Sequence, residues 1–249
     1  MEYIRITKDN IDKEHICCAM SNKQSDVKKE WLKERFDEGL VFYRSAERGK
    51  CFIEYIPAEK AWVPVNAEGY MFINCLWIAG SMKGHGYSND LLEECIRDAK
   101  RQNKKGLCVL SSVKKKEFLS DPKYLKYKGF TVADESVNGI TLMYLPFNPE
   151  AEVPTFRECA KKAAIEEKGF VIYYTDQCPF TYYWVPRVAE VAKEHGVSLK
   201  TVHITDRETA QNMPVPVTTY ALFQDGKYVT HGIQSDKKFL KLAGIETEN

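Results

Sequence analysis

Apolar and polar positions along the first half of the chain alternate between two periods. Short apolar runs at residues 3–6, 40–45 and 51–56 predict strands, the last two joined by the hairpin turn Glu47-Arg48-Gly49-Lys50. Residues 26–38 place Val27, Trp31, Leu32 and Phe36 at helical spacing among lysines and glutamates, so they predict an amphipathic helix. A strongly apolar strand run at 71–78 leads into the clearest helix of the chain, 89–102. There Leu91, Leu92, Cys95, Ile96 and Ala99 form one stripe that must pack on a sheet. A buried-strand run follows at 107–110. Next come a short helix at 122–128 closed by Gly129 and another strand from Phe130.

Pro146, Pro149 and Pro154 then interrupt the pattern, which predicts a semi-rigid linker. Thr155 and Glu158 stand at capping-box spacing and predict a bridging helix with Phe156, Cys159, Ala160 and Ala163 facing inward. Strand, helix and strand recur at 170–174, 181–195 and 199–204. A hairpin about Gln224-Asp225-Gly226 and a last helix at 237–243 complete the pattern. The expected organisation is an α+β unit over 1–147, a linker and bridging helix over 148–168, and a small α/β unit over 169–249.

Composition narrows the class. A chain of 249 residues with 44% hydrophobic residues is globular, and a formal charge of +1 gives no electrostatic footprint for nucleic acid. No apolar run approaches the roughly 18 residues of a membrane span, and Met1-Glu2-Tyr3-Ile4-Arg5 lacks the apolar stretch of a signal peptide, so a cytoplasmic protein is expected. Cys51, Cys75, Cys108 and Cys95 fall in apolar runs, where they serve as small hydrophobes in a reduced compartment. With no C-x-x-C pair and scattered histidines, no metal site is expected.

The candidate chemistry begins at Lys83-Gly84-His85-Gly86-Tyr87-Ser88, between the 71–78 strand and the 89–102 helix. Glycines at i and i+2 let successive N–H groups converge, and the positive end of the following helix completes an anion site. No Walker loop occurs. A dinucleotide fingerprint fails because Asn89 stands where its third glycine belongs; a simple tight turn is the remaining structural alternative. The strand, loop and helix resemble the acetyl-CoA site of the GNAT superfamily of N-acyltransferases. Its pattern, Q/R-x-x-G-x-G/A, is approximated here with Lys83 and Ser88 at the divergent positions. That resemblance covers about residues 1–147. It implies a mixed sheet whose central strands splay, backbone contacts to pantetheine at Leu76, Trp77 and Ile78, pyrophosphate on residues 83–88, and Ser111 where the next strand meets the cosubstrate. It further implies direct attack of an acceptor amine on the thioester.

Tyr124 is the candidate acid and Glu54, sharing a strand face with Phe52 and Ile56, the candidate base; packing for Tyr124 and solvent exposure for Glu54 are the plainer alternatives. The lysines at 114–116, 123, 126 and 128 suit a cosubstrate phosphate or a solvated face. Trp62, Tyr70, Tyr182, Tyr183 and Trp184 suit a substrate groove or a core.

In the second unit Cys178-Pro179-Phe180-Thr181 lies at a strand-to-helix turn, where a helix dipole lowers a thiol pKa. The order resembles a thioredoxin fold, with Cys178 at the redox position, Thr181 in place of a resolving cysteine and Pro216 where that family keeps a cis-proline. An acetyltransferase joined to such a unit, with the run Gly80-Ser81-Met82-Lys83-Gly84-His85-Gly86-Tyr87-Ser88 and the stretch Phe118-Leu119-Ser120-Asp121-Pro122-Lys123-Tyr124-Leu125-Lys126-Tyr127-Lys128-Gly129-Phe130, resembles the YoaP-like bacterial acetyltransferases. The implied function is acetyl-CoA-dependent N-acetylation of a small-molecule or peptide amine, with no nucleic acid and no membrane; the pattern carries no signal of oligomeric state. A monothiol redox protein acting through Cys178 and a catalytically silent acyl-CoA-binding module are the alternatives.

Overall fold

The computed structural model describes residues 1–16, 18 and 22–245. Two β-sheets dominate it. The first has the order β1-β2-β3-β5-β6-β8-β7, from β1 (Tyr3–Ile6), β2 (Val41–Ser45), β3 (Lys50–Pro57), β5 (Tyr70–Ala79), β6 (Gly106–Ser112), β7 (Thr131–Glu135) and β8 (Ile140–Pro146). All neighbours are antiparallel except β5 and β6. Helix α1 (Asn22–Phe36) covers one face through Trp31 and Leu32. Helix α2 (Tyr87–Arg101) covers the other, burying Leu91, Leu92, Cys95 and Ala99 as its period requires. The short α3 (Pro122–Tyr127) lies on the α2 side through Leu125.

The predicted bridging helix does not form. Residues Thr155–Phe156 are a strand, β9, paired with β4 (Val65–Asn66), and Glu158–Lys161 is only a 3-10 turn. Competing partners explain it. The Thr155 hydroxyl accepts from Asn66 Nδ2 at 3.2 Å, and the Phe156 N–H donates to the Asp134 carboxylate at 2.9 Å. Ala163, at φ +51°, ends any helical run.

The second sheet has the order β11-β10-β12-β13, formed by β10 (Phe170–Tyr174), β11 (Leu199–His203), β12 (Tyr220–Gln224) and β13 (Lys227–Thr230), with β10 and β11 parallel. Helices α4 (Pro179–Glu194) and α6 (Asp236–Leu242) share a cluster on one of its faces; α5 (Arg207–Gln211) follows β11. Its other face merges with the first sheet: Val171, Ala221 and Phe223 belong to the same buried cluster as Phe42, Phe52, Trp62 and Phe72. Polar ties reinforce the seam. Gln211 Nε2 donates to Ala61 O at 2.8 Å, Arg207 pairs with Glu38 at 2.9 Å, and the Thr218 hydroxyl donates to Trp62 O. Trp62 and Tyr70, candidate groove residues by sequence, are therefore core.

Candidate active site

Strand β5 pairs with β6 only from Tyr70 to Ile73; beyond that β6 continues along β8 while β5 stays with β3. The two central strands thus diverge, leaving the β6-side edge of residues 74–79 open. A bulge marks the point of divergence: Glu54 faces Cys75 and Tyr55 faces Ile73, so Asn74 is the extra residue. After it, Leu76 and Ile78 pack toward α2, and Cys75 and Trp77 toward the α1 face.

The loop ends on α2. Lys83, Gly84, His85 and Gly86 are exposed, and Tyr87 and Ser88 half-buried. Gly84 and Gly86 take φ values of +85° and +79°, which L side chains rarely adopt, and a Cβ on Gly84 would meet nothing within 4 Å. Gly86 is the N-cap of α2 and supplies no side-chain cap, so the first turn presents N–H groups that no side chain takes. The His85 ring stacks on Tyr87, centroids 5.3 Å apart, and leaves the bend open. An open cradle, an uncapped 15-residue helix and a free strand edge fit a diphosphate carrying an extended arm.

The other predicted residues are engaged elsewhere. Ser111 is fully buried and its hydroxyl donates to Ser120 O at 2.7 Å, so its side chain fastens the loop after β6. The Tyr124 hydroxyl donates to Ser88 O at 2.9 Å, and burial pushes its pKa up. Its proton thus holds α3 to the first turn of α2. Glu54 is 1% exposed and faces neither cleft nor solvent: Lys28 Nζ lies 2.5 Å from one carboxylate oxygen and Asn74 Nδ2 2.9 Å from the other. Of the nearby lysines, Lys115 pairs with Asp121 at 2.9 Å and Lys116 donates to Asn138 O at 2.5 Å.

Cys178 caps α4 as expected, but burial pushes its thiol up to about 11, outweighing the N–H groups of Phe180 and Thr181 and the charge of Lys28. All described peptide bonds are trans, so buried Pro216 is not the cis-proline of the resemblance. Sequence reasoning gave no individual role to Lys28, Asn74, Phe118 or Phe180. Lys28 also donates to Gln177 O at 2.7 Å, tying the Cys178 turn to the β5 bulge. Lys28 interrupts a helix stripe and Asn74 an otherwise apolar strand run; those were their only signals.

A family model described as YoaP-like matches residues 198–241. The Bacillus subtilis (strain 168) protein named uncharacterized N-acetyltransferase YoaP is 46% identical over 246 residues, covering 97% of this chain and 98% of that one. Among solved structures, a GNAT family acetyltransferase from Brucella melitensis in complex with acetyl-CoA is 14% identical, covers 61% of this chain and 90% of its own, and has a TM-score of 0.40. The PaiA N-acetyltransferase from Thermoplasma acidophilum in complex with coenzyme A is 12% identical, covers 59% and 100%, and also scores 0.40.

Proposed function

The chain belongs to the YoaP-like family of N-acetyltransferases, and from that premise we propose that its acetyl-CoA site is the 83–88 loop together with the open edge of β5. The observation that carries this reading is the uncapped N-terminus of α2 beside Gly84 and Gly86. Main-chain N–H groups of the loop and first turn hold the pyrophosphate, with Lys83 as a mobile charge at the rim. Backbone groups of Leu76, Trp77 and Ile78 that face away from β3 hold the pantetheine arm. An N–H of Trp77 or Ile78 serves as oxyanion donor. Acetyl-CoA supplies the thioester: the acceptor nitrogen attacks its carbonyl carbon, the C–N bond forms, the C–S bond breaks, and CoA leaves as a thiol. The amine proton passes to water, which returns one to the departing sulfur, so CoA ends as the free thiol. A thiolate is a good leaving group, so its departure needs no dedicated strong acid. Tyr124 and Glu54 are then positioning residues: the first braces α3 on α2, and the second, with Lys28 and Asn74, fixes the bulge.

The second sheet is read as a thioredoxin-like unit over 169–249, joined to residues 1–147 by 148–168 and kept for packing and acceptor binding. A raised thiol pKa at Cys178 and the hydroxyl of Thr181 at the resolving position speak against a redox cycle there. Acetyl-CoA is expected to raise the melting temperature by mass action. Gly86→Asp, which adds charge and a Cβ at φ +79°, should abolish that rise. A native protein that millimolar acetyl-CoA leaves unshifted overturns the assignment.

A further inference from the structure

The turn that opens α4 reaches back onto the first sheet. Phe180 lies edge-on to Trp77 with ring centroids 6.3 Å apart, and Phe118, from the loop after β6, lies edge-on to Phe180 at 6.4 Å. Trp77 and Phe180 are half-buried and Phe118 is 50% exposed, so the three rings present apolar area beside the diverging end of β5. The wall is held in place from several sides. Phe118 sits at φ +61°, a conformation a bulky side chain rarely adopts and proteins retain where a site requires it. Its loop is pinned at both ends: the Ser111 hydroxyl donates to Ser120 O, and the His231 ring lies 3.1 Å from Glu117 O, a carbonyl that only accepts, so Nε2 carries the proton. Lys28, donating to Gln177 O, fixes the turn that bears Phe180.

The charges around the rings define what the wall takes. Both oxygens of Glu54 are engaged by Lys28 and Asn74, which leaves this buried carboxylate unable to serve as a handle for an ammonium group. Lys50 Nζ already stands 5.0 Å above the Trp77 ring and repels any further cation there. We propose that this wall, built by both halves of the chain, binds the acceptor, and that the acceptor is a primary amine joined to a flat, aromatic group and carrying no second positive charge. The proposal rests on the reading that acetyl transfer takes place where β5 and β6 part. An aromatic ring of the acceptor stacks among Trp77, Phe118 and Phe180, which directs its amine nitrogen along the open edge of β5.

The test measures release of the CoA thiol with phenethylamine, n-butylamine and spermidine as acceptors. The expected kcat/KM for phenethylamine exceeds that for n-butylamine by about tenfold or more, with spermidine the poorest. Phe180→Ala and Phe118→Gly should each lower the phenethylamine to n-butylamine ratio by about tenfold, mainly through KM. Phe118→Gly also relieves the left-handed backbone, so its melting temperature should hold or rise, which separates loss of the ring from loss of the fold. Equal kcat/KM for the three amines, or a ratio unchanged in both variants, overturns the proposal. So does turnover of none of them by a protein that acetyl-CoA stabilises. Absence of that stabilisation overturns the cosubstrate reading beneath it instead.

Discussion

Cys178 shows how two influences on one side chain are settled by magnitude. Its place at the N-cap of α4 favours the thiolate through the helix dipole and two N–H groups, while packing against the core of the second sheet favours the neutral thiol. Burial wins, and the thiol is pushed up to about 11. Thr181 completes the neutral turn, its hydroxyl 2.8 Å from Thr175 O and 2.6 Å from Cys178 O. At pH 7.5 the thiolate fraction therefore falls roughly three hundredfold below that of an unperturbed cysteine, pKa about 8.5. Iodoacetamide labelling of Cys178, followed by mass spectrometry, should be slow at neutral pH and climb until about pH 11. The sign of the linkage follows: a raised folded pKa stabilises the protein below the thiol's unfolded pKa, and that contribution disappears as pH rises toward 11. Half-maximal labelling near pH 8 in folded protein would contradict this account.

Among the elements, the junction of α1, β3 and the β5 bulge depends on a fully buried ion pair. Lys28 and Glu54 are each about 1% exposed, and Gln177 O and Asn74 Nδ2 each give one of them a further hydrogen bond. Removing one charge strands the other in a low-dielectric site. Lys28→Met should cost about 3–5 kcal/mol in urea unfolding at pH 7, and the double change Lys28→Met with Glu54→Leu should recover most of it. A double variant as unstable as the single one would show that the shape of these side chains, not their charges, is required. The pair also explains which parts of the site were legible. Helix α2, the glycine loop and the central strands announce themselves through local period and through backbone angles only glycine tolerates. The partner of Glu54 lies 26 positions away on another element, so the strand pattern suggested a cleft-facing or exposed carboxylate. Thr155 and Glu158 matched a capping box for a similar reason: Asn66, which donates to the Thr155 hydroxyl, and Asp134, which accepts from the Phe156 N–H, are distant in sequence. Phe180 drew no role of its own within the Cys178-Pro179-Phe180-Thr181 turn because the surface it meets belongs to β5.

For the whole molecule, the prolines at 146–154 suggested two units on a tether, yet the buried cluster under the first sheet is completed from beyond residue 147. Phe156, Ala160, Val171, Ala210, Met213, Val215, Val217, Ala221 and Phe223 pack in the same cluster as Trp31, Phe42, Trp62 and Phe72. Arg35 lies over both the Trp31 and Trp62 rings, at 4.1 and 4.4 Å from their centroids, and the Thr218 hydroxyl donates to Trp62 O. Each large aromatic left facing water by removal of its cover forfeits roughly 1.5–3 kcal/mol, and several would be uncovered together, against a total stability of about 5–15 kcal/mol. The full chain should accordingly unfold in one cooperative transition by calorimetry. A fragment ending at residue 147 should lack a fixed near-UV circular dichroism spectrum and gain no thermal protection from acetyl-CoA, although it contains the whole 83–88 loop. A folded fragment that acetyl-CoA still stabilises would mean the first sheet carries its own core. If the fragment fails as expected, the second sheet is a structural requirement for the acetyl-CoA site as well as a contributor to the acceptor wall.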